Sequence, residues 1–190
     1  RKLIKLSVVT MILAFFDEYV HTSSGAFRYF DGNTPSPLTV FGWSLLVLGI
    51  IFISTIMYQR LSLITPLNII PRTLIVIITV IILFGTVWYE GYLRFFDSRM
   101  ILLYIFLFLT SLYYTYFHKS KWILMVSTST LIISATMEFI GGIEGLWVYQ
   151  NTRPMAVFII FTWVLRTLTV LSLASLLGVD ALDITSIHEP

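Results

Sequence analysis

Two glutamates, Glu18 and Glu138, stand 120 residues apart, and each is followed by the same series of chemistry-bearing residues. Gly25 matches Gly145, Phe27 matches Trp147, Tyr29 matches Tyr149 and Asp31 matches Asn151. Further on, Phe41 and Trp43 match Phe161 and Trp163, and Ser7/Ser127 and Thr10/Thr130 precede the glutamates in the same ungapped register. Coincident Ile and Leu mean little in an apolar chain; coincident Glu, Gly, Tyr and Trp mark an internal repeat. The shared pattern is E-x6-G-x-[FW]-x-Y, with proline shortly after it (Pro35 and Pro37; Pro154). At this spacing an acid, a tyrosine hydroxyl and a large ring can converge on one outer-leaflet pocket around Glu18 and Glu138, with Phe27, Tyr29, Trp147, Tyr149, Glu90 and Arg166 as the candidate substrate-lining residues. The same Tyr and Trp also suit a plain anchor at a membrane interface.

Other ionisable residues extend the set. Arg166 lies about twelve residues into an apolar run, where an ionised group costs ~2.5 kcal/mol or more and is usually placed for a reason. By depth its nearest acids are Glu138 and Glu90; a structural interhelical pair is the first expectation, with a counter-ion role toward an acid or an anionic headgroup as the alternative. Glu18 and His21 form an E-x-x-H at i, i+3 and share one side of a helix; di-metal carboxylate bundles use two such motifs with further glutamates. Here there is one, and Glu18, His21, Glu90, Glu138 and Glu144 form the only set that would hold a metal. No cofactor is expected otherwise. Glu144 sits among Gly141, Gly142 and Gly145, which predicts an unwound helix end lining a cavity, or else an ordinary glycine stop. His118 and His188 read as solvated. The sequence has no phosphate-binding loop, no Gly-x-Ser-x-Gly elbow, no His-Glu-x-x-His and no lysine central to an apolar run.

The elements that must position these groups follow from composition. Of 190 residues 57% are apolar and only 12% charged, against about 25% in soluble domains, which points to an integral membrane protein. A net charge of +2 gives no nucleic-acid footprint, and no cysteine is present for disulfides or thiolate sites. Six stretches reach the length of a spanning helix: Leu3–Val20, Leu38–Tyr58, Thr73–Tyr89, Met100–Phe117, Trp122–Ile140 and Met155–Leu177. The first ends in Phe-Phe-Asp-Glu-Tyr without a small-x-small cleavage site, so it is expected to be a retained helix. Lys and Arg number seven on the side of the amino terminus and the 2–3 and 4–5 connections, and four on the other, which places both termini in the cytoplasm. The expected fold is all-α: one multi-pass domain of six transmembrane helices over residues 1–178 and a polar cytoplasmic tail over 179–190. The offset lays helices 1–2 over helices 5–6 in parallel. The middle hairpin, with Glu90, Gly91, Tyr92 and Phe95, is at most a degenerate third copy.

The run Glu138, Gly145, Trp147, Tyr149 and Pro154 resembles motifs of the small polytopic carotenoid-pathway membrane proteins, the lycopene cyclases and carotenoid hydratases, over about a third of the chain. Those cyclases open the next helix with a proline and two adjacent glutamates, whereas Met155, Ala156 and Val157 follow Pro154 here. The resemblance implies acid catalysis on a polyene: a carboxyl group kept neutral by burial, with Glu18 and Glu138 the candidate catalytic residues, protonates an alkene, and the aromatic faces of Trp147, Tyr149, Phe27 and Tyr29 stabilise the carbocation. The partner would be an isoprenoid or other membrane lipid. Two alternatives remain open at this stage: a non-catalytic subunit held by other membrane proteins, and a small transporter built on parallel repeats.

Overall fold

The structure is a computed structural model, and it describes residues 1–32, 35–62, 81, 98–149 and 157–181. Among these residues five long helices appear: α1 (Lys2–Ser23), α2 (Pro37–Ser62), α3 (Ser98–Phe117), α4 (Ser120–Ile143) and α5 (Val157–Leu176). Four of them, α2 to α5, are long and apolar enough to cross a membrane by length and composition. Of the expected third span, Thr73–Tyr89, all but residue 81 lies outside the described residues, as does Glu90.

α1 falls short of that composition because it carries Lys2, Lys5, Asp17, Glu18 and His21. Its packing nevertheless suits hydrocarbon. Asp17, Glu18, His21 and Thr10 are buried, while Ile4, Val8, Ile12, Phe15 and Phe16 point outward. The polar stripe faces protein and the apolar stripe faces out, the reverse of a helix on a water-soluble domain.

The other helices repeat this arrangement. Leu45, Leu102, Ile132 and Phe139 are exposed, while Ser44, Ser54, Thr115, Thr130 and Thr169 are buried. Many buried hydroxyls return a hydrogen bond to their own helix: Thr10 to the Leu6 carbonyl at 2.8 Å, Ser54 to Ile50 at 2.6 Å, Thr130 to Val126 at 2.7 Å. Such small polar residues let helices approach closely where lipid supplies no hydrophobic drive. α1 packs on α2, α2 on α4, α4 on α5, and α5 back on α1, with α3 against α5 and α1. Leu6, Val47, Ile50, Leu107, Leu165 and Leu168 fill the centre.

α1 and α4 end at the same end of the bundle, and they end alike. Gly25 (φ 78°) and Gly145 (φ 65°) take the left-handed conformation just past the helix. The next amide closes back on the last turn, Ala26 N–H to the His21 carbonyl and Leu146 N–H to the Gly141 carbonyl, both at 2.9 Å. This is a Schellman closure, which favours glycine because a side chain at positive φ is strained. Each chain then continues as a three-residue strand, β1 (Phe27–Tyr29) and β2 (Trp147–Tyr149). The strands pair antiparallel, with Phe27 opposite Tyr149, Arg28 opposite Val148 and Tyr29 opposite Trp147. This ribbon ties the two helix ends together, a feature that the apolar periodicity did not predict.

The inside-out packing has a clean test, because the chain contains no cysteine. Spin labels on Ile12→Cys, Leu45→Cys and Ile132→Cys in lipid nanodiscs should be relaxed by oxygen and shielded from a water-soluble nickel chelate. Labels on Leu13→Cys and Ile50→Cys should be shielded from both. Nickel access at Ile12 would contradict the arrangement.

Candidate functional site

The Schellman turns and the ribbon set the last turn of α1 and of α4 against the start of α2 and of α5. The two glutamates sit just before those last turns. Glu18 and Glu138 are each 4% exposed. Trp43 of α2 gives its indole N–H to Glu18 Oε1 at 3.1 Å, and Trp163 of α5 gives its own to Glu138 Oε1 at 2.9 Å. The second oxygens are served by the ribbon. Tyr29 donates its hydroxyl to Glu18 Oε2, and Trp147 donates its indole N–H to Glu138 Oε2 at 3.2 Å. Burial and the adjacent Glu18 carboxyl push the ionisation of the Tyr29 hydroxyl far up, so it stays a phenol.

The second donor reaches the two acids in different ways. A Cβ on Gly141 would overlap the six-membered ring of Trp147, so glycine makes the space in which that indole reaches Glu138. The position 120 residues earlier is His21, and the residue matching Trp147 is Phe27, which has no polar hydrogen. There Tyr29 supplies the donor instead.

Trp43 and Trp163 also meet each other, with ring centroids 4.5 Å apart and planes inclined at 43°. The Arg166 guanidinium carbon lies over both rings, 5.6 Å from the Trp43 centroid and 5.4 Å from that of Trp163. Cation–π attraction therefore holds the two indoles whose N–H groups bind the two glutamates. Arg166 does not pair with Glu138, as depth alone suggested. Its Nε donates to Asp17 Oδ1 at 3.0 Å, and its Nη1 to Thr162 Oγ1 at 2.8 Å. The physical reason is helical phase: neighbours in sequence are turned about 100° apart on a helix, which sends Asp17 and Glu18 to different neighbours.

His21 completes the cluster. Its Nδ1 lies 2.8 Å from the Asp17 carbonyl and 3.4 Å from Asp17 Oδ2, while its Nε2 lies 2.9 Å from the Tyr104 hydroxyl and 3.3 Å from Arg166 Nη2. Nε2 thus faces donors, and Nδ1 is the nitrogen that carries hydrogen. His21 contacts Asp17, Tyr104 and Arg166.

Of the residues expected at the site, the structure joins buried Glu18, Glu138 and Arg166 and half-buried Tyr29 and Trp147 in one network. Phe27 and Tyr149 are partners in the ribbon register, directly across from each other. Glu90 lies outside the described residues. Glu144 stands apart: it is exposed and caps α4, and its backbone N–H reaches the Ile140 carbonyl at 2.9 Å. Gly141 and Gly142 remain helical rather than unwound. Among the described residues no three His, Asp or Glu side chains are grouped to hold a metal ion.

Sequence reading passed over Asp17, Tyr104, Trp43 and Trp163 as site residues. Trp43 and Trp163 were visible as offset matches, and Asp17 with His21 as an i, i+4 pair on one stripe. Tyr104 had no local signal. Comparison with family models, curated proteins and solved structures yields no match for this chain.

Replacing Gly141 with Ala should displace the Trp147 indole from Glu138. Overpacking of this kind costs about 1–3 kcal/mol. The expected readout is a red-shifted tryptophan emission and a lowered unfolding midpoint, with Gly142→Ala near wild type. Unchanged emission in Gly141→Ala would show that the indole has room to spare.

Proposed function

We propose that this chain is a six-span integral membrane protein with both termini in the cytoplasm, and that it performs acid-catalysed chemistry on an isoprenoid polyene near the outer leaflet. In this reading helices 1–2 and 5–6 are two parallel copies of one hairpin. The observation that carries it is the equivalence of the glutamates. At an offset of 120, each is buried, each accepts an indole N–H from the helix that follows, and each has a second donor from the ribbon.

The chemistry is a proton transfer. The alkene π pair takes a proton from one carboxyl group, leaving a carbocation and a carboxylate. Loss of a proton from the adjacent carbon to that carboxylate restores an alkene, or a water molecule adds and releases its proton. Both outcomes balance without a redox cofactor. The faces of Trp43 and Trp163 on the Arg166 side already hold a guanidinium, so the reacting carbon belongs on the glutamate side of the cluster.

A second reading has its own support. Every oxygen of Glu18 and Glu138 has a donor from the chain, as expected of a purely structural network in a subunit of a larger membrane assembly.

The test is incubation of the protein in lipid nanodiscs with acyclic isoprenoid polyenes in deuterated water. Wild type should yield product carrying deuterium at the protonated carbon. Glu18→Gln and Glu138→Gln should lower turnover by roughly 10²–10⁴-fold while keeping helical circular dichroism. Absence of turnover in wild type, or full turnover in both variants, would overturn the enzyme reading. Glutamine variants that lose assembly with co-purifying membrane partners would favour the subunit.

A further inference from the structure

Charge is divided unequally between the two ends of the bundle. Among the described residues, the exposed charges at the ribbon end balance, with Arg28 and Arg99 against Asp31 and Glu144. At the opposite end α1 and α4 begin and α2 finishes. There stand Arg1, Lys2, Lys5, Arg60, Lys119 and Lys121, and the carboxylate described with them is Asp180, in the segment after α5. Like charges gathered at one end repel one another unless an outside anion meets them.

Three of these cations belong to one seam, where α2 packs on α4. Arg60 lies in the last turn of α2, and Lys119 and Lys121 flank Ser120, the first residue of α4. Lys121 is held in place, with its ammonium 5.1 Å from the centroid of the Tyr58 ring. Tyr58 meets the buried Trp122 edge to face, at 6.0 Å and 87°, and Trp122 gives its indole N–H to the Tyr114 hydroxyl at 2.9 Å. An ammonium over a ring face still has N–H groups to give to an anion. Deeper along the bundle the same face of α2 is apolar. Ile56, Ile53 and Phe52 precede Arg60 by four, seven and eight residues, the spacing of one helix face, and all three are exposed. Cations at the rim with an open apolar stripe running away from them match the outline of a phospholipid, and long basic side chains reach from hydrocarbon to the headgroups.

We infer that the α2–α4 seam is a binding site for an anionic phospholipid of the leaflet at that end. Its phosphate and headgroup lie against Arg60, Lys119 and Lys121, and an acyl chain runs along Ile56, Ile53 and Phe52. A net negative headgroup is what this seam selects, because a zwitterionic one brings its own cation to the lysines. The site is at the far end of the bundle from Glu18 and Glu138, so it stands apart from the acid chemistry proposed above.

Native mass spectrometry of the full chain in detergent, titrated with phosphatidylglycerol or with phosphatidylcholine of the same acyl chains, reads the affinity of the first bound lipid. Phosphatidylglycerol should bind wild type more tightly. Arg60→Gln and Lys119→Gln, both at exposed positions, should each weaken it roughly fivefold, the scale of one basic residue at an anionic surface, and leave phosphatidylcholine unaffected. Lys121→Gln should do the same, and Lys121→Arg, which keeps the charge over Tyr58, should restore binding. Arg28→Gln and Arg99→Gln at the ribbon end should match wild type. Glycerophosphoglycerol, the headgroup without acyl chains, should not compete. Equal affinity of wild type for the two lipids, unchanged selectivity in both Arg60→Gln and Lys119→Gln, or competition by the deacylated headgroup at the concentration of the lipid would overturn the inference.

Discussion

A guanidinium placed halfway along a helix whose neighbours face hydrocarbon must find its counter-charge inside the protein, and the rest of this bundle is arranged around that need. Arg166 meets Asp17 across the α1–α5 contact at 3.0 Å. The pair is nearly closed to solvent, so its attraction is weakly screened and its desolvation cost is large. That cost is offset by further partners: Thr162 on the same helix, the two indole faces, and His21, which is itself turned toward Asp17. The partners come from α1, α2 and α5 itself. One cation thus fixes the relative rotation of α1, α2 and α5.

The glutamates inherit their positions from this centre. Trp43 and Trp163 lie under the guanidinium and present their N–H edges to Glu18 and Glu138. The ribbon closes the same end from above, and the Schellman turns at Gly25 and Gly145 let two long helices feed it without a longer loop. At the offset of 120, Gly141 and Trp147 stand where the chain earlier has His21 and Phe27; Gly141 leaves room for the Trp147 ring, and His21 joins the ion pair.

Much of this was legible in the residues. Long apolar runs predicted α2 to α5 within a few residues, because in hydrocarbon only uniform apolarity and length matter. The glutamates, Trp43, Trp163 and the turn glycines stood out as a matched series at one offset. Arg166 stood out by depth, but its partner did not, because pairing depends on helical phase and on which helix lies alongside; Asp17 and Glu18 are adjacent in sequence and serve different neighbours. The ribbon was hidden for a related reason. Three residues have no strand signal of their own, and β1 and β2 pair only because two distant helix ends arrive side by side. The three clustered glycines suggested unwinding; the demand was instead for space beside one indole ring at Gly141.

The ion pair at the centre can be measured directly by a double-mutant cycle on unfolding in detergent micelles, with Asp17→Asn, Arg166→Gln and the double variant. Removing one partner alone leaves a buried group uncompensated, at a cost of about 3–5 kcal/mol. The account predicts that the double variant is at least as stable as either single one, with a coupling of about 2–3 kcal/mol. Single-variant losses that simply add, within about 0.5 kcal/mol, would show that Arg166 and Asp17 do not hold the bundle together.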